Sequence, residues 1–223
     1  MQMQDAFLSR RSIRAFRPDP VPPAVLQELV DTVRWAPSAA NTQPWEFTIV
    51  GGDVLQKLRS RLREAVAVDP LGKPEMKWPA SLPERFKGRR ADVGARTLEA
   101  LGVAADDAAK KDEWLRFGIG FFDAPHVIVL KMERCFSDLA VMDLGGVAFG
   151  LELLAHDMGL GTCPQAAPLR YPWIFHEVLA IPEHMRVMLT LPIGYPVVEA
   201  PVNRFPRPRV PIGEILQWSG IIP

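Results

Sequence analysis

Ser137-Asp-Leu-Ala-Val-Met-Asp-Leu-Gly-Gly-Val-Ala-Phe-Gly-Leu-Glu-Leu-Leu-Ala-His156 is the stretch that decides the fold. Its spacing predicts one long helix over 137–156, with apolar positions nearly all round it and Gly145, Gly146 and Gly150 inside. A helix that is apolar on every face must be buried on every face. In a chain of 223 residues that makes it the central helix, with surplus apolar surface that a second subunit would cover. Gly159-Leu-Gly161 closes it.

Upstream, Pro22-Pro23 opens a helix carrying Val25, Leu26, Leu29, Val30 and Val33 on one face, since proline costs no hydrogen bond in a first turn. Trp45 to Val50 alternates as a half-buried strand and stops at Gly51-Gly52. Asp53 is then expected to cap a helix with Leu55, Leu58 and Leu62 inside and its Lys and Arg residues outside. Residues 69–84 form a Pro-rich connection and 85–118 read as charged, Ala-rich helix. His126 to Leu130 is a buried strand, Tyr171 to Leu179 a short helix, and Val187 to Ile193 another strand. The tail 195–211 is extended, with little to pack on itself. It is either a frayed end or a strap over another subunit. Val197, Val198, Val202, Phe205 and Val210 favour the strap, because a solvated tail has no use for them.

Lys+Arg and Asp+Glu balance at 26 each, which argues against a nonspecific nucleic-acid binder. The longest uncharged stretch, Val187 to Val198, is too short to span a membrane and holds two prolines. The start at Met1 carries neither a basic nor an apolar segment, so a cytoplasmic protein is expected. Cys135 and Cys163 permit one bridge at most and fit no metal pattern, and both are read as buried free thiols. His126, His156, His176 and His184 form no HExxH pair, and GxSxG, Walker and GxGxxG motifs are missing. No metal site is expected.

What remains is arginine at both ends. Arg10, Arg11 and Arg14 share a turn with Ser12, and Arg207 and Arg209 alternate in the tail, so their guanidinium forks point the same way. Guanidinium binds phosphate bidentately at any relevant pH. If the clusters converge they make a site for one phosphate group, although a solvated charged face would read the same.

Three motifs in order then decide between those readings: Arg10-Arg-Ser-Ile-Arg14, Ala36-Pro-Ser-Ala-Ala-Asn-Thr-Gln-Pro-Trp45, and Arg207-Pro-Arg209, with Gly159-Leu-Gly-Thr-Cys-Pro164 between the last two. Together they resemble the FMN-dependent nitroreductase family. The resemblance covers about 10–50, 140–195 and 201–212. It implies an α+β fold, a mixed sheet sandwiched by helices, in an intertwined homodimer with exchanged C-terminal tails. The whole chain, 1–223, would be one FMN-binding domain, with 66–125 as a variable cap and 195–223 as the tail wrapping the partner.

Arg10, Ser12, Arg207 and Arg209 would hold the FMN phosphate, and Arg11 would bind the cofactor beside them. Arg14 would lie near N1 and O2 of the ring, where a fixed cation raises the reduction potential. Pro37, Ser38, Ala39 and Asn41 would contact the other subunit's flavin, and the backbone of Pro164, Gln165 and Ala166 would face N5 and donate a hydrogen bond. No side chain would be catalytic in its own right. NADH or NADPH would be the reductant and a small nitroaromatic or quinone the oxidant, in a ping-pong sequence. Gln165-Ala-Ala167 and Pro201-Val-Asn-Arg204 look closer to nitrobenzoate-type than to enteric-type members. Trp78, Phe86, Trp114, Phe117, Phe121 and Phe122 could roof the flavin, and Arg85, Lys87, Arg89 and Arg90 could favour an anionic substrate. Reductive dehalogenation, azoline or enone redox chemistry, flavin breakdown, or flavin binding without turnover are the other uses such a scaffold allows.

Overall fold

The computed structural model describes residues 1–221. Four strands, β1 (Glu46–Gly51), β2 (His126–Glu133), β3 (Gly161–Thr162) and β4 (Met185–Gly194), form one sheet in the order β1-β2-β4-β3. All of their pairings are antiparallel. The expected mixed character is confined to one isolated parallel bridge, Ser12 to Thr162. β2 runs past Leu130 to Glu133 because β4 goes on pairing with it through a bulge at Leu130/Lys131, beyond the last β1 partner at Lys131.

Alternation along β2 builds the two halves of the core. Ile128, Leu130 and Met132 face α2 (Pro23–Val33) and α6 (Ala140–Asp157), where Leu26, Leu29, Leu144, Val147 and Leu151 are buried. Val127 and Val129 face the other way, onto α3 (Gly52–Val68) and α7 (Pro172–Leu179), packing with Leu55, Leu58, Leu62 and Phe175. The remaining helices are α1 (Met3–Ser9), α4 (Glu84–Ala100) and α5 (Ala108–Ile119).

Several expectations change here. The helix begins at Ala140, not Ser137, and in this single chain it keeps one bare side: Met142 is 75% exposed and a Cβ on Gly145 or Gly146 would meet nothing within 4 Å. Gly51 rather than Asp53 precedes α3, with no side-chain cap. Arg59 is buried in α3 instead of lying outside, because its guanidinium binds the carbonyls of Gly120 (3.0 Å) and Ala124. The stretch 85–118 is two helices parted by a turn at 101–107, where Asp107 accepts a hydrogen bond from the Lys110 N–H and starts α5.

The tail does pack on its own chain as far as Asn203. Val197 N–H donates to Ala15 O at 3.0 Å, and Val202 and Asn203 are buried in a short 3₁₀ turn, Pro201–Asn203. Val198 before it, and Ile212, Ile215, Leu216 and Trp218 beyond it, stand exposed. Among the described residues no helix is long and apolar enough to cross a membrane.

Candidate functional site

The arginine turn is an extended strap laid along the sheet edge. Ile13 N–H donates to Thr162 O at 2.8 Å and Arg17 N–H to Tyr195 O at 2.8 Å, so residues 12–17 are pinned at both ends. Ile13 points inward and is buried. A Cβ on Gly161 would come within 2.6 Å of the Ile13 side chain, so the close approach of strap and β3 requires glycine there. With Ile13 inward, Ser12 and Arg14 point the other way.

Asn203 locks the tail onto this strap. Its Oδ1 accepts the Arg14 N–H at 2.7 Å, and its Nδ2 donates to Ala15 O and Val197 O, both at 2.9 Å. Its carbonyl accepts from Arg11 Nη1 at 2.8 Å. That lock delivers the next residues to the arginine turn. Arg10, Arg11, Ser12, Arg14, Arg207 and Arg209 line one cavity of about 180 Å³, and Val93 of α4 closes its far wall. The two arginine clusters therefore converge.

Arg10 differs from the others. Its guanidinium pairs with Glu152 of α6 at 2.5 Å, with both side chains largely buried. Burial pushes the Glu152 carboxyl above its ordinary range and Arg10 pulls it back down. Arg11, Arg14, Arg207 and Arg209 have no carboxylate partner among the described residues. The Arg207 guanidinium is held below its ordinary pKa by partial burial first, then by Arg11, Arg209 and Arg10. Burial, with Arg10 and Arg207, also lowers His156, which hydrogen-bonds Ser9 Oγ at 2.7 Å. Such a crowd of cations is a site in need of an anion.

Pro164, Gln165 and Ala166 come one residue after β3, with Gln165 buried between its two exposed neighbours. The Gln165 N–H is already donated to Thr190 O at 2.8 Å, and proline has none. The expected backbone donor narrows to Ala166. The Gln165 side chain donates to Gly118 O at the end of α5 at 2.8 Å, leaving its buried Oε1 without a partner. The loop with Pro37, Ser38, Ala39 and Asn41 does not line the arginine cavity of the same chain. It hangs on α6, where Ala39 N–H donates to Asp143 at 3.2 Å, and carries left-handed Ala40 and Asn41.

Asn203 and Glu152 were not singled out from sequence. Glu152 had a readable signal, since an acid flanked by apolar residues in a helix read as buried must find a partner.

Residues 8–195 match the nitroreductase family. The chain belongs to that family. Nitroreductase NfnB of Mycolicibacterium smegmatis is 32% identical over 217 residues, 94% of this chain and 89% of that protein. A 4-nitrobenzoate reductase of Pseudomonas putida is 28% identical over 90% of this chain and 88% of its own. Among solved structures, an FMN and NADPH-dependent nitroreductase NfnB from Sphigopyxis sp. strain HMH superposes with a TM-score of 0.95 at 30% identity, covering 99% of this chain and 100% of that one.

Among the aromatic residues of 66–125, Phe121 and Phe122 are buried, with Trp114 tilted against Phe122 at 5.4 Å and Phe117 edge-on to it at 5.7 Å. Trp78 lies under Arg170 at 4.8 Å. Cys163 is buried beside Ser12, and burial pushes its thiol up to about 11. Cys135, expected to be buried, is exposed in the turn after β2.

A maleimide at pH 7 should therefore add once to the native protein, at Cys135, and twice after denaturation, which intact-mass measurement would read. The sign for stability follows from the raised Cys163 value. The protonated thiol favours the fold below its unfolded pKa near 9, and that contribution is lost as pH rises through about 11.

Proposed function

We propose that the chain is an FMN-dependent NAD(P)H oxidoreductase that reduces nitroaromatic compounds, working as a homodimer in a ping-pong sequence. The observation that carries this reading is the convergence of arginines from both ends of the chain, Arg11, Arg14, Arg207 and Arg209 without a carboxylate partner among the described residues, on one small cavity. Phosphate is the group that such a donor set fits.

Arg11, Ser12, Arg207 and Arg209 would hold the FMN phosphate, with Arg10 shared between it and Glu152. When bound, FMN supplies the chemistry of accepting and returning a hydride. The chain supplies placement and charge. Arg14, fixed through its own N–H by Asn203, would set a permanent cation against N1 and O2. Ala166 N–H would donate to N5. Pro37, Ser38, Ala39 and Asn41, outside their own chain's cavity, would serve the partner's flavin. The bare side of α6 and the exposed residues after Pro211 give a second copy something to cover. Quinones would be secondary oxidants.

The purified protein should be yellow, with one FMN per chain, and a colourless protein that ignores added FMN would sink the reading. Initial rates with varied NADPH and 4-nitrobenzoate should give parallel double-reciprocal lines. Intersecting lines would mean that both substrates sit in the site together.

A further inference from the structure

A second space adjoins the arginine cavity on the side of α4, and the proposed reaction leaves it without a task. Its volume is about 460 Å³, within the roughly 300–1,000 Å³ usual for small-molecule sites. Val93, Pro208 and Val210 give it apolar surface, and Arg89 and Arg209 give it charge. Val93 and Arg209 line both cavities, so the two spaces lie on either side of those side chains. Its acid, Asp92, is already engaged by Arg96 at 2.8 Å. Glu214 touches Arg89 through one nitrogen at 3.3 Å, which leaves the rest of that fork unused by Glu214. Arg85 and Arg90, on the same helix, have no carboxylate partner among the described residues.

The helix wall is open at one point. Gly88 lines the space, and a Cβ built on it meets nothing within 4 Å. Glycine weakens a helix interior, and Gly88 keeps this stretch of wall free of any side chain.

FMN ends at its phosphate. A ligand filling both spaces must continue past a phosphate into a pocket with apolar sides and two guanidinium forks. We propose that this second cavity is an adenylate subsite, which takes the adenosine 5′-phosphate half of a dinucleotide. The base would lie on Val93, Pro208 and Val210 and the phosphate between Arg89 and Arg209. Two molecules carry that half: FAD, entering in place of FMN, and the NAD(P)H reductant. The inference rests on the placement of the FMN phosphate proposed above.

The test is Arg89→Ala, which removes the guanidinium fork that lines the second space and does not line the first. Apoprotein is titrated with FMN and with FAD, and FMN-loaded protein is reduced anaerobically by NADPH and by NADH. The variant should bind FMN within about twofold of the unaltered protein. Either the FAD dissociation constant or the apparent constant for the pyridine nucleotide should rise at least tenfold, about 1.4 kcal/mol. A rise confined to FAD assigns the subsite to the flavin, and one confined to NAD(P)H assigns it to the reductant. A rise in neither overturns the proposal. Should the variant fail to take up FMN, equilibrium dialysis of 5′-AMP against the unaltered FMN-loaded protein decides. Saturable binding of one per chain, not shared by ribose 5-phosphate, supports the subsite; no saturable binding overturns it. An unaltered protein that binds no FMN brings down the flavin reading as well, whereas normal FMN binding with an indifferent variant removes the subsite alone.

Discussion

Arg207→Ala combined with Arg209→Ala is expected to weaken FMN binding by about two to four orders of magnitude. Each charge-assisted hydrogen bond to a phosphate contributes roughly 1.5–3 kcal/mol, so two such residues contribute about 3–6 kcal/mol, and 1.4 kcal/mol is tenfold. The fold has little stake in either side chain. Arg207 binds the Leu8 carbonyl at the surface, and Arg209 binds only the carbonyls of Arg207 and Pro208 beside it. Both sit in a crowd of like charge that already depresses the Arg207 guanidinium. Without a bound anion, removing them relieves repulsion, so the melting temperature of the flavin-free variant should hold or rise. Riboflavin has the same ring and no phosphate, and its affinity should change less than threefold. Fluorescence titration of both flavins separates the cases. An equal loss for the two would mean that the arginines support the cavity's shape and bind no phosphate.

What could be read in advance followed the range over which each residue's partner lies. Leu55, Leu58 and Leu62 announce their helix and its buried face because the periodicity is local. β2 was read short, since Lys131 and Glu133 look like solvent residues until β4 pairs with them. Arg59 looked like an exposed helix residue for the same reason: its carbonyl partners, Gly120 and Ala124, lie some sixty positions along the chain. The convergence of the two arginine clusters was legible because arginines without nearby acids stand out in any window. Its scaffold was not. Asn203 works by reaching Arg14 and Ala15, and a lone asparagine among prolines carries no sign of that. Cys135 misled because apolar neighbours in sequence, such as Phe136, do not fix burial in a turn.

The same lock divides the tail into two parts that truncation should separate. A chain ending at Arg204 keeps Asn203 and Val202 but lacks Arg207, Arg209 and the apolar residues from Ile212 onward. It should fold and melt cooperatively, yet bind FMN poorly and sediment as a monomer near half the mass of the full-length assembly. A chain ending at Tyr195 loses the lock as well. The Arg14 N–H and Ala15 carbonyl are then left unpaired beside the sheet, at about 1–3 kcal/mol each, and the cover supplied by Val202 goes with about 1.5–3 kcal/mol of apolar burial. A sum of roughly 4–9 kcal/mol falls on a domain whose whole stability is of the order of 5–15 kcal/mol. The shorter chain should have no cooperative melting transition by circular dichroism, while the longer one melts within a few degrees of full length. A yellow dimer from the 1–204 chain would show that neither the phosphate clamp nor subunit exchange depends on the outer tail. A well-folded 1–195 chain would show that the strap 10–17 holds its place without Asn203, whose Oδ1 accepts the Arg14 N–H.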